Sequence, residues 1–285
     1  MAGILYVVAT PIGNLEDVTL RALRILREVS LIAAEDTRRT ARLLQHYSIS
    51  TRTTSLHEHN ERGKTPELVA RLRAGDSIAL VSDAGTPLIS DPGQALVSAA
   101  RGAGIRVESI PGPSAVMAAL SSSGFETPEF VFLGFPPVRS KDRKAWFESL
   151  ASQTRLAVFF EAPHRIRRTL ADLATSLGAE KVVGVGRELT KAHEELVVCP
   201  IYQHIQYFSE PRGEFTLLVP PRILSENAGL VVPKPEDLQH ELGELTNNGA
   251  STTRQALKVL AERHGVSVND LYRLLGKDRA DGHKT

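Results

Sequence analysis

Glycines, prolines and acids are concentrated in one segment that follows an apolar stretch of the chain. Leu80–Gly93 reads LVSDAGTPLISDPG, so a predicted buried strand runs directly into two acids, two glycines and two prolines. Glycine lets a backbone approach a ligand closely, and proline fixes a loop before binding, so that little conformational entropy is lost. This composition favours a ligand-binding loop, with simple turn chemistry as the alternative.

Three other loops of unusual composition also follow predicted strands. They are Thr10–Asn14, Glu35–Arg38 and Ile110–Ser114. In open α/β sheets ligands bind beyond the carboxyl ends of the strands, where such loops converge and backbone N–H groups stay free. Four such loops in the first half of the chain therefore predict one shared site.

The common nucleotide and hydrolase fingerprints are missing from the sequence. No G-x-G-x-x-G follows the first strand, no G-x-x-x-x-G-K-[ST] occurs, and no G-x-S-x-G is present. These absences disfavour a dinucleotide-binding dehydrogenase, a nucleotide hydrolase of the P-loop class and an α/β-hydrolase.

A histidine-rich segment, His57–Glu61, invites a metal interpretation because imidazoles and carboxylates cluster there. Its spacing matches neither H-E-x-x-H nor a closed zinc set, and the single cysteine, Cys199, cannot supply a set of thiolates. We predict no metal; a substrate-facing loop and a plain solvated loop both remain open.

Whole-chain composition is that of an ordinary globular protein. The 285 residues are 42% hydrophobic, and 34 Lys and Arg stand against 33 acids, so any nucleic-acid binding must use local basic patches. One cysteine, no long apolar run and an apolar start that reads as a first strand predict a cytoplasmic protein without a membrane segment.

Short apolar runs alternate with helical patterns over the first two thirds of the chain, which predicts an α/β fold with parallel strands. Turn-forming residues at 121–129 interrupt the pattern, and the closely spaced strands beyond them predict a mixed sheet. We therefore expect an α/β domain at 1–121, a second at 122–222, a linker at 222–234 and a small helical domain at 235–285.

In that helical domain we predict a capping box at Thr252–Gln255, an apolar face with Leu257, Leu260 and Ala261, helix closure at Gly265 and a second helix opening at Ser267–Asp270.

Eight motifs in order and spacing identify a family resemblance. The chain resembles the tetrapyrrole-methylase superfamily, in particular its branch that methylates ribosomal RNA, over residues 3 to 275. The motifs are ATPIGNLEDVTLRAL, AAEDTRRTARLL, SLHEHNE, VSDAGTPLISDPG, IPGPSAV, FLGFPP, FFEAPHR and RGEFTLLV.

The resemblance implies two α/β domains that hold S-adenosylmethionine in the cleft between them, usually in a homodimer, and 2′-O-methylation of a cytidine in 16S rRNA of the small ribosomal subunit. Its cofactor residues, carried over position by position, are Pro11, Asp83, Ala84, Gly85, Thr86, Ile89, Ser90, Ser114, Ala115, Phe160, Glu161, Gly213, Phe215 and Thr216. Porphyrin-methylating relatives usually carry Gly-Asp-Pro where this chain has Gly85-Thr86-Pro87. Asp83 or another acid must then replace the missing carboxylate.

Methyl transfer to a ribose hydroxyl needs a base but no metal, because the reaction is an in-line displacement. Among the acids at strand ends we favour Asp36 as base or orienter, with Glu35 as its competitor; helix N-capping is the alternative role of Asp36. His57 is a third candidate, with loop anchoring as its alternative. Arg38, Arg39 and Lys64 are the predicted contacts to substrate RNA phosphates.

Other basic residues leave further possibilities open. One cluster comprises Arg139, Lys141, Arg143 and Lys144, another Arg165, Arg167 and Arg168, and the stretch 251–285 carries seven basic against four acidic residues. Each is either a phosphate contact or an ordinary solvated or packing surface. Methylation of a small molecule and non-catalytic binding to the ribosome are the competing functions.

Overall fold

The computed structural model describes residues 2–126, 128–208, 211–221, 235–247 and 253–264, together with Leu271 and Leu275. The chain divides into two compact units, Met1–Arg222 and Ile223–Thr285. The first unit contains two five-stranded sheets, and the second is helical. The predicted α/β class with an added helical piece is therefore confirmed.

The first sheet is entirely parallel, as the alternating pattern predicts. Its strand order is β3-β2-β4-β1-β5, and β2 and β4 are buried at every residue because helices cover both faces. The strands are β1 (Ile4–Val8), β2 (Leu31–Ala34), β3 (Thr53–Ser55), β4 (Ile78–Val81) and β5 (Arg106–Ile110).

Polar side chains cap several helices of this half. Thr19, Asp36 and Ser114 each accept a hydrogen bond from a backbone N–H in the first turn of the helix that follows. The helices are α1 (Leu20–Glu28), α2 (Thr37–His46), α3 (Glu61–Arg73), α4 (Gln94–Gly102) and α5 (Ala115–Ser122), and a single 3₁₀ turn covers Leu15–Asp17. Asp36 and Ser114, the caps of α2 and α5, therefore lie in two of the unusual loops that follow strands.

The second sheet is mixed, which confirms the prediction from its closely spaced strands. Its order is β6-β7-β10-β8-β9, and only β6 and β7 pair in parallel. The strands are β6 (Phe130–Phe132), β7 (Leu156–Glu161), β8 (Val182–Arg187), β9 (Glu195–Pro200) and β10 (Phe215–Val219); the helices are α6 (Ser140–Ala151), α7 (Ile166–Leu177) and α8 (Ile201–Tyr207).

Helix α5 connects the two halves of the first unit. Val116 and Ala119 are buried in one apolar cluster with Val158 of β7 and Leu218 of β10. Because α5 follows the last strand of the first sheet and packs on the second, the carboxyl ends of the first sheet face the second half across a cleft.

The second unit contains α9 (Pro235–Asn247) and α10 (Thr253–His264). Leu257 and Leu260, predicted on one apolar face, are both fully buried there, in a cluster with Leu238 and Leu242. The structure of the predicted linker at 222–234, Thr252, the side chain of Ala261, Gly265 and the helix opening at 267–270 all lie outside the described residues. None of the described helices is long and apolar enough to cross a membrane.

Candidate functional site

Hydrogen bonds join the loops that follow β1, β4 and β5. The backbone groups of Thr10 and Gly85 exchange two hydrogen bonds of 2.9 Å, and Thr86 Oγ1 donates to the carbonyl of Pro113 at 3.5 Å. Three of the four loops singled out in the sequence therefore meet at one edge of the sheet.

The loop after β4 has an unusual backbone. Gly85, Leu88, Ser90 and Gly93 have φ values of 81°, 75°, 70° and 121°. Positive φ is costly for Leu and Ser, and such residues persist where the surrounding structure holds them, most often at functional sites. Gly93 also approaches Leu80 so closely that a Cβ atom would lie 2.6 Å from Leu80 Cδ2. The glycine at this position is therefore required by both conformation and space.

A cavity of about 420 Å³ lies between this loop edge and the second half of the unit. Its lining from the first half consists of Ile12, Glu35, Arg39, Asp83, Ala84, Gly85, Thr86, Ile89, Ser90, Asp91, Ser114, Ala115 and Val116. Its lining from the second half consists of Phe135, Phe160, Glu161, Ala162, Pro163, Glu214, Phe215 and Thr216. Twelve of the fourteen residues predicted to bind a cofactor are thus brought together.

Pro11 and Gly213 are the two predicted cofactor residues outside this lining. Ile12, next to Pro11, lines the cavity instead. Gly213 has φ of 88°, and a Cβ atom there would lie 2.3 Å from Glu188 Oε1, so the glycine allows a close backbone approach to that side chain. The backbone conformation and the contact with Glu188 therefore explain why glycine is needed at position 213, without any role in the cavity.

One wall of the cavity is apolar. The rings of Phe135 and Phe160 lie 5.6 Å apart between centroids, and Phe132 packs edge-on against Phe160 at 5.0 Å. Phe135 is half exposed, at 49%, although it is a large apolar side chain. The wall therefore presents aromatic surface toward the cavity.

The opposite part of the lining is acidic, with Glu35, Asp83 and Asp91. Burial, opposed by a hydrogen bond from Ser82 and aided by the neighbouring carboxylates of Glu35 and Asp83, raises the pKa of Asp91 to about 6. Arg39 Nη1 lies 3.3 Å from Asp83 Oδ2, so its positive charge partly balances the negative charge of the acidic lining. Among the residues that the structure describes, no group of three or more His, Cys, Asp or Glu is placed to hold a metal ion.

Glu35 and Asp36 are consecutive but have different environments. Glu35 lines the cavity, its Oε2 accepts from the backbone N–H of Asp83 at 3.2 Å, and burial raises its pKa. Asp36 caps α2 and pairs with the Arg38 guanidinium at 2.8 Å, which together with a backbone hydrogen bond holds the pKa of Asp36 far below its usual range. The geometry therefore favours Glu35 over Asp36 as a base, contrary to the preference drawn from the sequence.

Three other predicted residues lie outside the cavity lining. His57 anchors its loop, where its backbone N–H donates to Asn60 Oδ1 at 2.9 Å. Lys64 Nζ donates to Thr54 Oγ1 at 2.7 Å, so this ammonium holds the edge strand β3. Arg38 is 90% exposed and bound to Asp36. Of the three predicted phosphate contacts, only Arg39 lines the cavity.

Glu161 lines the cavity while its carboxylate is directed into a buried polar network. Its side chain is fully buried; it accepts from Thr169 Oγ1, and Arg165 Nε and Arg143 Nη1 lie 3.2 and 3.8 Å from it. The carboxylate is therefore already fully partnered by protein groups.

Sequence reasoning missed several lining residues that lie inside the quoted motifs. Ile12, Asp91 and Val116 occur in the same motifs as predicted site residues, and so do Ala162, Pro163 and Glu214, whereas Phe135 lies in FLGFPP, from which no site residue was predicted. The motifs indicate which loops form the site. They do not indicate which residues of each loop face inward, because that depends on the folded loop.

Comparison with known proteins identifies the family. The model of tetrapyrrole (corrin/porphyrin) methylases matches residues 4–204. Proteins named ribosomal RNA small subunit methyltransferase I from Synechocystis sp. and Vibrio cholerae are 48% and 45% identical, over 98% and 95% of this chain and 100% and 94% of theirs. The crystal structure of uroporphyrin-III C-methyltransferase from Thermus thermophilus complexed with S-adenosyl homocysteine has a TM-score of 0.57 at 17% identity, over 76% of this chain and 97% of that one. This chain therefore belongs to the tetrapyrrole methylase family and, within it, to the proteins named ribosomal RNA small subunit methyltransferase I.

Proposed function

We propose that this protein transfers a methyl group from S-adenosylmethionine to the ribose 2′-hydroxyl of a cytidine in 16S rRNA of the small ribosomal subunit. Methylation of small-subunit rRNA is supported by the names of relatives that align over nearly the whole chain. The cytidine and the 2′-oxygen rest on the motif resemblance. The observation that carries the chemistry is Glu35, a partly buried carboxylate in the lining of the cavity.

The residues of the cavity fit S-adenosylmethionine in charge and in polarity. This molecule carries an ammonium and a sulfonium group, and Glu35, Asp83 and Asp91 supply negative charge. Its adenine is a flat ring, for which Ile12, Phe135 and Phe160 offer an apolar wall. The volume of about 420 Å³ lies within the roughly 300–1,000 Å³ typical of cofactor sites.

The loop after β4 is already held in place before a ligand binds, so binding orders little of its backbone. Its positive-φ residues and its two hydrogen bonds to Thr10 hold Gly85 in place before any ligand binds. A loop held in its bound conformation loses little entropy on association. We propose that this loop cradles the methyl donor, with Asp83 replacing the carboxylate that porphyrin-methylating relatives usually carry one residue after the glycine.

Glu35 is proposed as the general base. When bound, S-adenosylmethionine supplies an electrophilic methyl group, and a ribose hydroxyl attacks it poorly unless its proton is removed. A carboxylate with a raised pKa accepts a proton more readily, and a positioned base contributes roughly 10²–10⁴-fold in rate. The Asp83 N–H orients Glu35 Oε2, and Arg39, 61% exposed at the rim, is placed to contact a substrate phosphate.

Methyl transfer to purified small subunits tests the proposal. The protein is incubated with radiolabelled S-adenosylmethionine and small subunits, and the labelled nucleotide is identified by nuclease digestion and mass spectrometry. Label on a cytidine ribose is the expected result. Label on the base, on a ribosomal protein or only on small molecules contradicts it, and rRNA binding without transfer indicates a non-catalytic ribosome-binding protein.

The proposal includes a homodimer in the cytoplasm, as the resemblance implies. Met117 of α5 and Phe130 of β6 are 53% and 37% exposed, which is apolar surface that a second copy would cover. Sedimentation equilibrium decides between a dimer and a monomer.

A further inference from the structure

We infer that the second half of the first unit holds the phosphate backbone of substrate RNA on a surface formed by the first turns of α6 and α7. The α6–α7 basic surface consists of Arg139, Lys141, Lys144, Arg167 and Arg168, all exposed. The inference rests on the proposed function and adds to it a docking site that neither the cavity nor Arg39 supplies.

Positive charge is concentrated on this surface although the chain as a whole is nearly neutral. The five cations face two exposed acids of the same helices, Asp142 and Glu148, which leaves an excess of three positive charges on a chain of net charge +1. Glu148 lies 3.8 Å from Lys144, and both side chains are more than 60% exposed, so this pair is weak. Within the described part of the chain, the other four cations have no carboxylate partner.

The surface begins at the rim of the cavity. Phe135 lines the cavity, and Arg139, four residues later, is the residue before α6. Ala162 and Pro163 line it as well, and α7 begins at Ile166. Because β6 and β7 are parallel neighbours, both loops leave the sheet at the same edge. A strand of RNA with its target ribose in the cavity therefore passes over these helix ends.

A buried arginine, Arg143, and a partly buried one, Arg165, hold the surface rigid. Arg143, 3% exposed, donates from Nη2 to Thr169 Oγ1 at 2.7 Å and from Nη1 to the carbonyl of Pro137 at 3.3 Å, and its Nε lies 2.6 Å from Asp172. Arg165 pairs with Glu161 and donates to the carbonyl of Pro136. These bonds tie both loops together, so the backbone that carries the exposed cations is ordered before RNA binds.

The chemistry of the groove between α6 and α7 favours phosphate over a protein partner. This groove, of about 490 Å³, is lined by three cations, two acids and three hydroxyl groups. Glu148 and Asp172 lie beside Lys144 and Arg143, which leaves the Arg168 guanidinium without a carboxylate partner among the described residues, near the hydroxyls of Ser140, Thr175 and Ser176. Its largest apolar side chain, Phe147, is 3% exposed and offers little area to a protein interface. Guanidinium, ammonium and hydroxyl groups are the usual side-chain donors to nucleic-acid phosphates.

Neutralisation of two arginines tests the inference, with a matched pair as control. The test variant is Arg167→Gln/Arg168→Gln. The control variant is Arg73→Gln/Arg101→Gln, two exposed arginines near the C-terminal ends of α3 and α4, at the sheet edge opposite the cavity. Binding to small subunits and to deproteinised 16S rRNA is measured at several salt concentrations, and S-adenosylmethionine binding by calorimetry.

We expect the test variant to bind both RNA targets about tenfold more weakly, with the slope of log K against log salt reduced by about 1.5, since each phosphate contact contributes roughly 0.7–0.9. The test variant should bind S-adenosylmethionine as tightly as the wild type does. The control variant should bind both RNA targets as tightly as the wild type does. Equal RNA binding by the two variants overturns the inference, and so does a loss seen with subunits but not with free rRNA, which indicates a ribosomal protein. If the wild type transfers no methyl group yet shows the Arg167- and Arg168-dependent slope, the proposed function fails and the docking surface stands.

Discussion

The carboxylate of Glu35 accepts a hydrogen bond from the backbone N–H of Asp83 at 3.2 Å, and this bond joins the ends of β2 and β4. The Asp83 carboxylate in turn accepts from the backbone N–H of Asp36 at 3.0 Å. The two strand ends are thus linked in both directions. The linkage holds Glu35 toward the cavity and leaves Asp36 as the cap of α2.

Substitution of the two neighbouring acids should separate these roles. We expect Glu35→Gln to lower the methyl-transfer rate by about 10²–10⁴-fold, because the amide cannot accept the proton. Asp36→Asn should keep the rate within about twofold, since asparagine is an equally good N-cap. Single-turnover transfer at saturating S-adenosylmethionine measures both. A large loss in Asp36→Asn with normal cofactor binding would restore Asp36 as the base.

Asp91 should make folding stability depend on pH. Its pKa of about 6 is above its ordinary value of 3.8, so the folded state binds the proton more tightly and loses stability as pH rises from about 4 to 6. We expect Asp91→Asn to be more stable than the wild type at pH 7.5, by on the order of 1 kcal/mol after allowance for solvent screening. The difference should vanish near pH 3.5.

Urea unfolding at the two pH values measures this effect, with Glu67→Gln as the control. Glu67 is exposed on α3, so Glu67→Gln controls for the loss of one negative charge from the protein. Asp91→Asn should also bind S-adenosylmethionine more weakly, because it removes negative charge from the cavity. If the difference in unfolding free energy between Asp91→Asn and the wild type is the same at both pH values, Asp91 is not desolvated in the folded protein.

The fold could be predicted largely from the sequence because most of its strands and helices carry a strong apolar pattern. Two short elements escaped prediction for a physical reason. Thr53–Ser55 has three residues without an apolar pattern and becomes strand β3 only by pairing with β2. Ile201–Tyr207 follows Pro200 and becomes helix α8 by burying Ile201 and His204 against the second sheet.

The site could be predicted at the level of loops but not of every side chain. The motif Leu80–Gly93 points to the cavity, yet the sequence did not show that Asp91 lines it together with Asp83. The positive-φ turns at Leu88 and Ser90 precede Asp91, and no local propensity predicts them. The same limit applies to Lys64. Its charge suggested a phosphate contact, while the folded chain places its ammonium on Thr54.

Gly93 and Gly104 offer a test of how tightly the cavity loop is packed. Both have positive φ, at 121° and 71°, but only a Cβ atom at Gly93 meets a neighbour, the buried Leu80. We expect Gly104→Ala to cost about 1–2 kcal/mol from conformation alone, and Gly93→Ala to cost about 1–3 kcal/mol more from overpacking. Urea unfolding measures the costs, and calorimetry should show weaker S-adenosylmethionine binding for Gly93→Ala only. Equal costs would mean that Leu80 can move freely.

Arg143 should stabilise the fold far more than an exposed arginine with an equally short ion pair. Arg143 is 3% exposed and lies 2.6 Å from the partly exposed Asp172 and 3.8 Å from the fully buried carboxylate of Glu161, whereas Arg155 is 56% exposed and lies 2.7 Å from Glu129. Removal of one partner of a buried pair costs about 3–5 kcal/mol because the remaining groups lose their partner, while an exposed pair contributes about 0–1 kcal/mol. We therefore expect Arg143→Met to lower the free energy of unfolding by about 3 kcal/mol or more, and Arg155→Met by less than about 1 kcal/mol.

Arg143 also donates to the buried Thr169 and to the carbonyl of Pro137, so its loss leaves these two acceptors, as well as the partly exposed Asp172, to find new partners. Urea denaturation of both variants, monitored at Trp146 beside Phe147 and Phe159, reports directly on this region. Similar destabilisation in the two variants would show that water replaces the bonds of Arg143. The network of Glu161, Arg165 and Arg143 would then not be what holds the loops after β6 and β7 at the rim of the cavity.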